Sequence, residues 1–159
     1  MEVRAATEND FNSILTLINK AFQIERFFLN EDRLTVAELE SQFRAGTFLV
    51  SEDAGQMTGC VFVKLDGERA YFGLLAVDPS RQKTGVGRRL VAAAEEFARE
   101  LGAHFMDLTV VNLRTELPAI YAKLGYRVTG EKPFPPEGLH KLSQPVYLIC
   151  MSKELGHRP

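Results

Sequence analysis

Leu74-Leu75-Ala76-Val77-Asp78-Pro79-Ser80-Arg81-Gln82-Lys83-Thr84-Gly85-Val86-Gly87-Arg88-Arg89-Leu90 is the stretch on which the reading of this chain turns. The apolar run at its start reads as a strand, and Asp78-Pro79 stops it. Two glycines then open a segment in which Val86, Leu90, Ala93, Ala94, Phe97 and Leu101 recur at helical spacing, so a helix is expected over Gly85–Leu101, with Gly102 closing it. Glycine allows a ligand to come close to the backbone. The free amides at a helix start carry partial positive charge, and phosphate is the usual anion held there. Four basic residues, Arg81, Lys83, Arg88 and Arg89, lie here with no acidic residue among them, in a chain of net charge −2. A local concentration of positive charge at a helix start is the electrostatic footprint of a polyphosphate.

Working outward, Ala70–Val77 is apolar nearly throughout and is expected to be a strand buried on both faces. Before it lie the strands Met57–Leu65 and Thr47–Ser51, joined by the turn signals Asp66-Gly67 and Asp53-Ala54-Gly55-Gln56. Thr7-Glu8-Asn9-Asp10 opens a first helix carrying Phe11, Ile14, Leu15, Ile18 and Phe22. Thr35-Val36-Ala37-Glu38 is a capping box opening a second helix through Phe43. Downstream, His104–Val111 reads as a strand, Thr115–Leu124 as a helix stopped by Gly125, and Tyr126–Gly130 and Val146–Met151 as two last strands. The order is β-α-α-β-β-β-α-β-α-β-β. Hairpin-linked strands followed by crossover helices predict an α/β fold built on a mixed sheet with helices on both faces.

The bulk numbers bound the rest. A chain of 159 residues is the size of one domain, with a core large enough to need no staples. A net charge of −2 argues against nucleic acid as the main partner. Two cysteines are too few for a disulfide scaffold or a Cys-rich zinc site, and Cys60 and Cys150 read as small strand hydrophobes. His104, His140 and His157 read as structural or solvated, and no metal is expected. No apolar run is long enough to span a bilayer, and Met1-Glu2-Val3-Arg4 lacks a signal-peptide core, so the expectation is a cytoplasmic protein without a membrane partner.

The glycine loop fits neither common nucleotide signature. Arg88-Arg89 follow Gly87 where a Walker A loop requires Lys and Ser/Thr, and the third glycine of a dinucleotide fingerprint is missing. Gln82-Lys83-Thr84-Gly85-Val86-Gly87 instead resembles the Q/R-x-x-G-x-G/A loop of the GNAT (Gcn5-related) N-acetyltransferase superfamily. Leu75-Ala76-Val77-Asp78-Pro79 is similar to that family's strand end. Asn112 with Ile120-Tyr121-Ala122-Lys123-Leu124-Gly125-Tyr126 resembles its Asn…Tyr-x-K-x-G-F/Y block, and the element order agrees over nearly the whole chain.

The resemblance implies acetyl-CoA as cosubstrate, lying where the Ala70–Val77 and His104–Val111 strands part. It implies that backbone groups of Leu75 and Val77 pair with the pantetheine arm, with Ala76 a further cofactor-binding residue. The loop Gln82, Lys83, Thr84, Gly85, Val86 and Gly87, with Arg88, would hold the pyrophosphate. Arg81, Lys83 or Arg89 would meet the 3′-phosphate, and Asn112 the cofactor arm. A backbone amide near Val77 would face the oxyanion, and Tyr121 would be both the acid that protonates the leaving thiolate and a cofactor contact. The base is where the chain departs from the family: Tyr71 stands where related enzymes carry Glu. Glu68, Glu25, Glu31 or ordered water remain open for that role. The acceptor side maps to Gln23–Leu34 and Glu131–Pro145. The resemblance implies transfer to a primary amine of a small molecule. A protein lysine or N-terminal acetyltransferase, a non-catalytic acyl-CoA-binding sensor, and a nucleotide-binding module are the other readings. Monomer and homodimer are both open.

Overall fold

The computed structural model describes residues 1–156. The expected order of strands and helices is observed, as a seven-stranded sheet in the order β1-β2-β3-β4-β5-β7-β6. The strands are β1 (Glu2–Ala5), β2 (Thr47–Asp53), β3 (Gln56–Asp66), β4 (Arg69–Val77), β5 (Phe105–Val111), β6 (Arg127–Pro133) and β7 (Tyr147–Glu154). The helices are α1 (Phe11–Ala21), α2 (Val36–Ala45), α3 (Val86–Glu100) and α4 (Leu117–Lys123). β4 and β5 pair in parallel and the other neighbours antiparallel. Among the described residues no helix is long and apolar enough to cross a membrane.

Local sequence explains where the elements begin. Thr35 accepts from the Glu38 amide at 3.2 Å while Glu38 Oε1 accepts from the Thr35 amide at 2.9 Å, the reciprocal box that starts α2. The α1 end is more elaborate. The Thr7 amide donates to Asp10 Oδ2 at 2.8 Å, and residues Glu8–Asp10 form a short 3-10 turn before the α-helix begins.

The two faces of the sheet are buried separately. Val61 and Val63 of β3 face α3, in a core with Leu90, Ala94 and Met106. Cys60 and Phe62 of the same strand face α1 and α2, in a second core with Ile14, Ile18, Leu39 and Phe48. Coverage on both sides is why β2 and β3 read as continuous apolar runs.

β4 departs from the expectation of burial on both faces. Ala70, Phe72 and Ala76 are buried, but Tyr71, Gly73, Leu74, Leu75 and Val77 are only partly so. Two features cause this. Opposite β3 the register runs Cys60↔Ala76 and then Phe62↔Gly73, so β4 carries one extra residue, with Leu74 at φ +50°. That bulge switches the alternation: Ala70 and Phe72 belong to the α3-side core, whereas Leu74 and Ala76 belong to the α1-side core. On the other edge, β4 pairs with β5 only at Arg69↔Phe105, Ala70↔Met106 and Tyr71↔Asp107. Beyond Tyr71 the strands part, and half of each is left facing open space.

Candidate functional site: a cleft through the sheet

The opening between β4 and β5 is a cleft of about 1630 Å³ that reaches both sides of the sheet. Arg69 closes its narrow end. Its guanidinium donates to Asp107 at 2.7 and 2.6 Å and to Ser152 Oγ at 2.9 Å, and lies 4.5 Å from the Phe105 ring centroid. Above this clamp the backbone of β4 has no strand partner on the β5 side. The Asp78 amide donates to Thr58 O of β3, so by alternation the Val77 and Leu75 amides face the cleft.

The wide end meets the start of α3. Gly85 caps that helix at φ +89°, a backbone state that other residues reach only with strain, and a Cβ there would meet nothing within 4 Å. The Val86, Gly87 and Arg88 amides occupy the first turn, where no intrahelical acceptor exists. Of the predicted residues, Leu75, Ala76, Val77, Gln82, Lys83, Gly85, Gly87, Arg88 and Tyr121 line the cleft. Thr84 does not; its hydroxyl donates to Arg81 O. Val86 is buried in the core, at 7% exposure, leaving its backbone as the part turned toward the loop. Asn112 also lies off the lining. Its Oδ1 accepts from the Tyr147 amide at 2.9 Å, which locks the turn after β5 to the start of β7. Arg81 is held by Asp53 at 2.5 Å, which leaves Lys83, Arg88 and Arg89 as the cations of this end that make no ion pair to a described residue.

Tyr121, on α4, lines the cleft. Its ring packs 5.9 Å from Phe72 and 6.1 Å from Tyr126, and its hydroxyl makes no hydrogen bond to any described residue. Burial pushes its pKa up to about 12, against a smaller downward pull from Arg114. The phenol therefore keeps its proton at neutral pH. Behind it, Tyr126 donates to Glu95 at 2.7 Å, and Lys153 bridges Glu95 to Leu124 O, the last turn of α4. This buried network fixes the helix that carries Tyr121.

Arg114 was not legible as a site residue, since an arginine in a turn carries no pattern. Its Nη1 lies 2.8 Å from Glu25 Oε2, and both side chains are largely buried, at 15% and 7% exposure. Burial raises the Glu25 pKa, and the hydrogen bond and charge of Arg114 oppose that rise. Of the four carboxylate or water options open from sequence, Glu25 lines the cleft, whereas Glu31 pairs with His140 at 3.3 Å on the surface. Tyr71 folds back so that its hydroxyl would lie 2.7 Å from a Cβ at Gly73, with Lys64 over its ring at 5.5 Å.

The two loops expected on the acceptor side are clasped together. Leu29 bridges Leu142, the Asn30 amide donates to Lys141 O at 2.7 Å, and the Ser143 amide donates to Phe28 O at 2.9 Å. Phe28 is fully buried beneath this clasp while Phe27 is 53% exposed, so the Phe27-Phe28 pair divides between core and surface. Cys60 is buried and its thiol is pushed up to about 12, so it carries no reactive thiolate. His157 lies outside the described residues. No cluster of three or more His, Cys, Asp or Glu side chains placed to hold a metal occurs among the described residues.

With the cleft, the glycine-capped helix and the tyrosine in place, comparison with known proteins is decisive on one point. Residues 11–126 match the Acetyltransferase (GNAT) family. The chain belongs to this family. As a GNAT acetyltransferase it is an acyltransferase enzyme, in agreement with the resemblance carried by the glycine loop. It is 34% identical over 89 residues to a mycothiol acetyltransferase of Clavibacter sepedonicus, a match covering 55% of this chain and 29% of that protein. The chain thus spans under a third of that relative's length. It is 26% identical over 145 residues to the L-amino acid N-acyltransferase MnaT of Escherichia coli (strain K12), covering 84% of this chain and 83% of that one. Among solved structures, yncA from Salmonella typhimurium, which holds its cofactor acetyl-CoA, superposes with a TM-score of 0.74 at 24% identity, over 100% of this chain and 96% of that one.

Proposed function

We propose that this GNAT acetyltransferase moves the acetyl group of acetyl-CoA to the primary amine of a small molecule, as one catalytic domain over residues 1–159. One observation carries the reading: a single cleft along the unpaired β4 edge is lined by Tyr121, by Leu75 and Val77, and by Gly85, Gly87 and Arg88 at the start of α3. A pantetheine arm is an extended amide chain, so it suits the Leu75 and Val77 backbone groups. A pyrophosphate suits the Val86, Gly87 and Arg88 amides over the open space at Gly85, with Gln82 and Lys83 beside it. Lys83 or Arg89 is assigned the 3′-phosphate. The clasped loops roof the acceptor end, which favours a small acceptor over a protein chain, and a relative named for L-amino acid acylation lies within the same family.

In the reaction the nitrogen of a neutral amine attacks the thioester carbonyl carbon. The C–N bond forms, the C–S bond breaks, and the nitrogen loses one proton. The Val77 amide is assigned the developing oxyanion, where a fixed donor acts most strongly in a site without bulk water. Glu25 is assigned the amine proton, directly or through water, and Tyr121 gives its proton to the departing sulfur. A phenol at about 12 is a weak acid toward a thiolate of ordinary pKa. The same burial that raises the phenol would also raise the thiol, and Arg114 pulls the phenol down, so the gap narrows.

Thermal shift with acetyl-CoA, CoA, ATP and NAD is the first test. A ligand at 100 times its Kd adds about 2.7 kcal/mol to stability. The expectation is a shift with both CoA species, followed by free-thiol release with an amine panel. A shift with ATP and none with either CoA species overturns the reading.

A further inference from the structure

Each cation lining the cleft that is not freely exposed has an acidic partner, except one. Arg114 faces Glu25, Lys141 faces Glu38, Arg69 faces Asp107 and Arg81 faces Asp53. Arg33 lines the same cleft, is half-buried, and makes no ion pair or side-chain hydrogen bond to any described residue. A half-buried guanidinium with no direct ion-pair partner keeps its donors available for an anionic ligand.

Arg33 is nevertheless held firmly in place. Its carbonyl accepts from Lys141 Nζ at 3.1 Å, and Lys141 is 4% exposed. The next residue, Leu34, is bound on both sides by Asn19: its amide donates to Asn19 Oδ1 and its carbonyl accepts from Asn19 Nδ2, each at 2.9 Å. The guanidinium carbon lies 5.6 Å from the Phe22 ring centroid. A guanidinium set against a ring, on a pinned backbone, is pre-organised for a planar two-oxygen anion. Its charge also reaches Glu25, where it helps hold that carboxylate ionised.

We propose that Arg33 is a specificity residue that recognises a carboxylate on the acceptor, so that the acceptor is a small amino acid: its carboxylate on Arg33, its amine beside Glu25. A further observation agrees. Phe22, Ile24, Phe28 and Leu29 line this end and suit an apolar side chain. The inference rests on the acetyltransferase reading, and its test separates the two.

Initial rates of thiol release from acetyl-CoA are measured for phenylalanine against phenethylamine and for leucine against 3-methylbutylamine, with wild type, Arg33→Ala and Arg33→Lys. A charged two-point hydrogen bond is worth about 10- to 100-fold. Arg33→Ala is expected to lower the ratio of kcat/KM for each amino acid to that for its plain amine by about that factor, over and above any change common to both from the charge lost near Glu25, with Arg33→Lys recovering part of the ratio. Equal losses on both members of each pair, or a wild-type enzyme that prefers the plain amines, overturn the proposal while leaving the transferase intact. If no amine is turned over, the transferase reading fails by itself. Titration calorimetry of phenylalanine into the CoA-loaded protein then decides the Arg33 assignment: binding lost in Arg33→Ala supports it, and no binding to wild type refutes it.

Discussion

Replacing Arg114 with Met keeps much of the side-chain volume and removes the cation that faces Glu25. Glu25 is 5% exposed, and the Arg114 contact at 2.8 Å is its only ion pair among the described residues. Breaking a buried pair by deleting one partner typically costs about 3–5 kcal/mol. That is a large share of the roughly 5–15 kcal/mol that holds a domain folded. The pH dependence is the more discriminating part. Burial already holds the Glu25 pKa above its ordinary value, and loss of Arg114 raises it further. The folded variant then retains a proton that the unfolded chain releases near pH 4.3. Its stability from this group is fully present below that pH and declines as pH rises toward the folded pKa, by up to about 1.36 kcal/mol per pH unit. Urea unfolding at pH 5, 6, 7 and 8 should therefore show the deficit of Arg114→Met growing with pH. Arg114→Met/Glu25→Gln should be more stable than the single variant at pH 8 and should lose the slope. A deficit identical at every pH, or a double variant no better than the single one, would refute the claim that an ion pair holds this end of the cleft.

Other outcomes follow from the same geometry. Tyr121→Phe should lower kcat by roughly 10²–10⁴ while leaving acetyl-CoA affinity nearly unchanged, as measured by calorimetry beside steady-state rates. With the Tyr121 phenol held at about 12, the wild-type rate should show no basic limb below about pH 10.5. A limb near 10, the ordinary tyrosine value, would mean the hydroxyl is solvated in the working enzyme. Gly85→Ala and Gly87→Ala should differ in kind. Gly85 sits at φ +89°, so alanine there should cost about 1–2 kcal/mol in thermal unfolding. Gly87 is inside α3 and a Cβ there meets only Val77 Cγ2 at 3.5 Å, so Gly87→Ala should stabilise by about 0.5 kcal/mol. The same methyl crowds the amides at the helix start, and CoA affinity should fall about tenfold, the worth of one charged hydrogen bond. Equal effects on stability and affinity in both variants would argue against α3 as the anion site.

The architecture places opposite chemistry on the two sides of one sheet. α3, α4 and the glycine loop form the side where the polyphosphate is expected, and α1 with the clasped loops forms the side proposed for the acceptor. The opening above Arg69 is the passage between them. The parting of β4 and β5 is therefore as much a part of the site as any side chain, because it frees backbone donors that a continuous sheet would use up.

What the sequence determined by itself was whatever is local. The capping box at Thr35, the glycine stops, the apolar stripes and the Gln82–Gly87 loop each depend on neighbours within a few residues, so composition and spacing reveal them. Tyr121 was legible because it stands in a recognisable block. The tertiary structure alone decided the rest. Ala70–Val77 reads as evenly buried, but the bulge at Leu74 and the loss of pairing beyond Tyr71 are properties of three strands together. Glu25 and Arg114 lie 89 residues apart, and Arg33 and Lys141 lie 108 apart. Ordinary charged residues in turns carry no period, cap or glycine to mark them. Their significance is their burial and the absence or presence of a counter-charge, and both are set only when distant segments pack against each other.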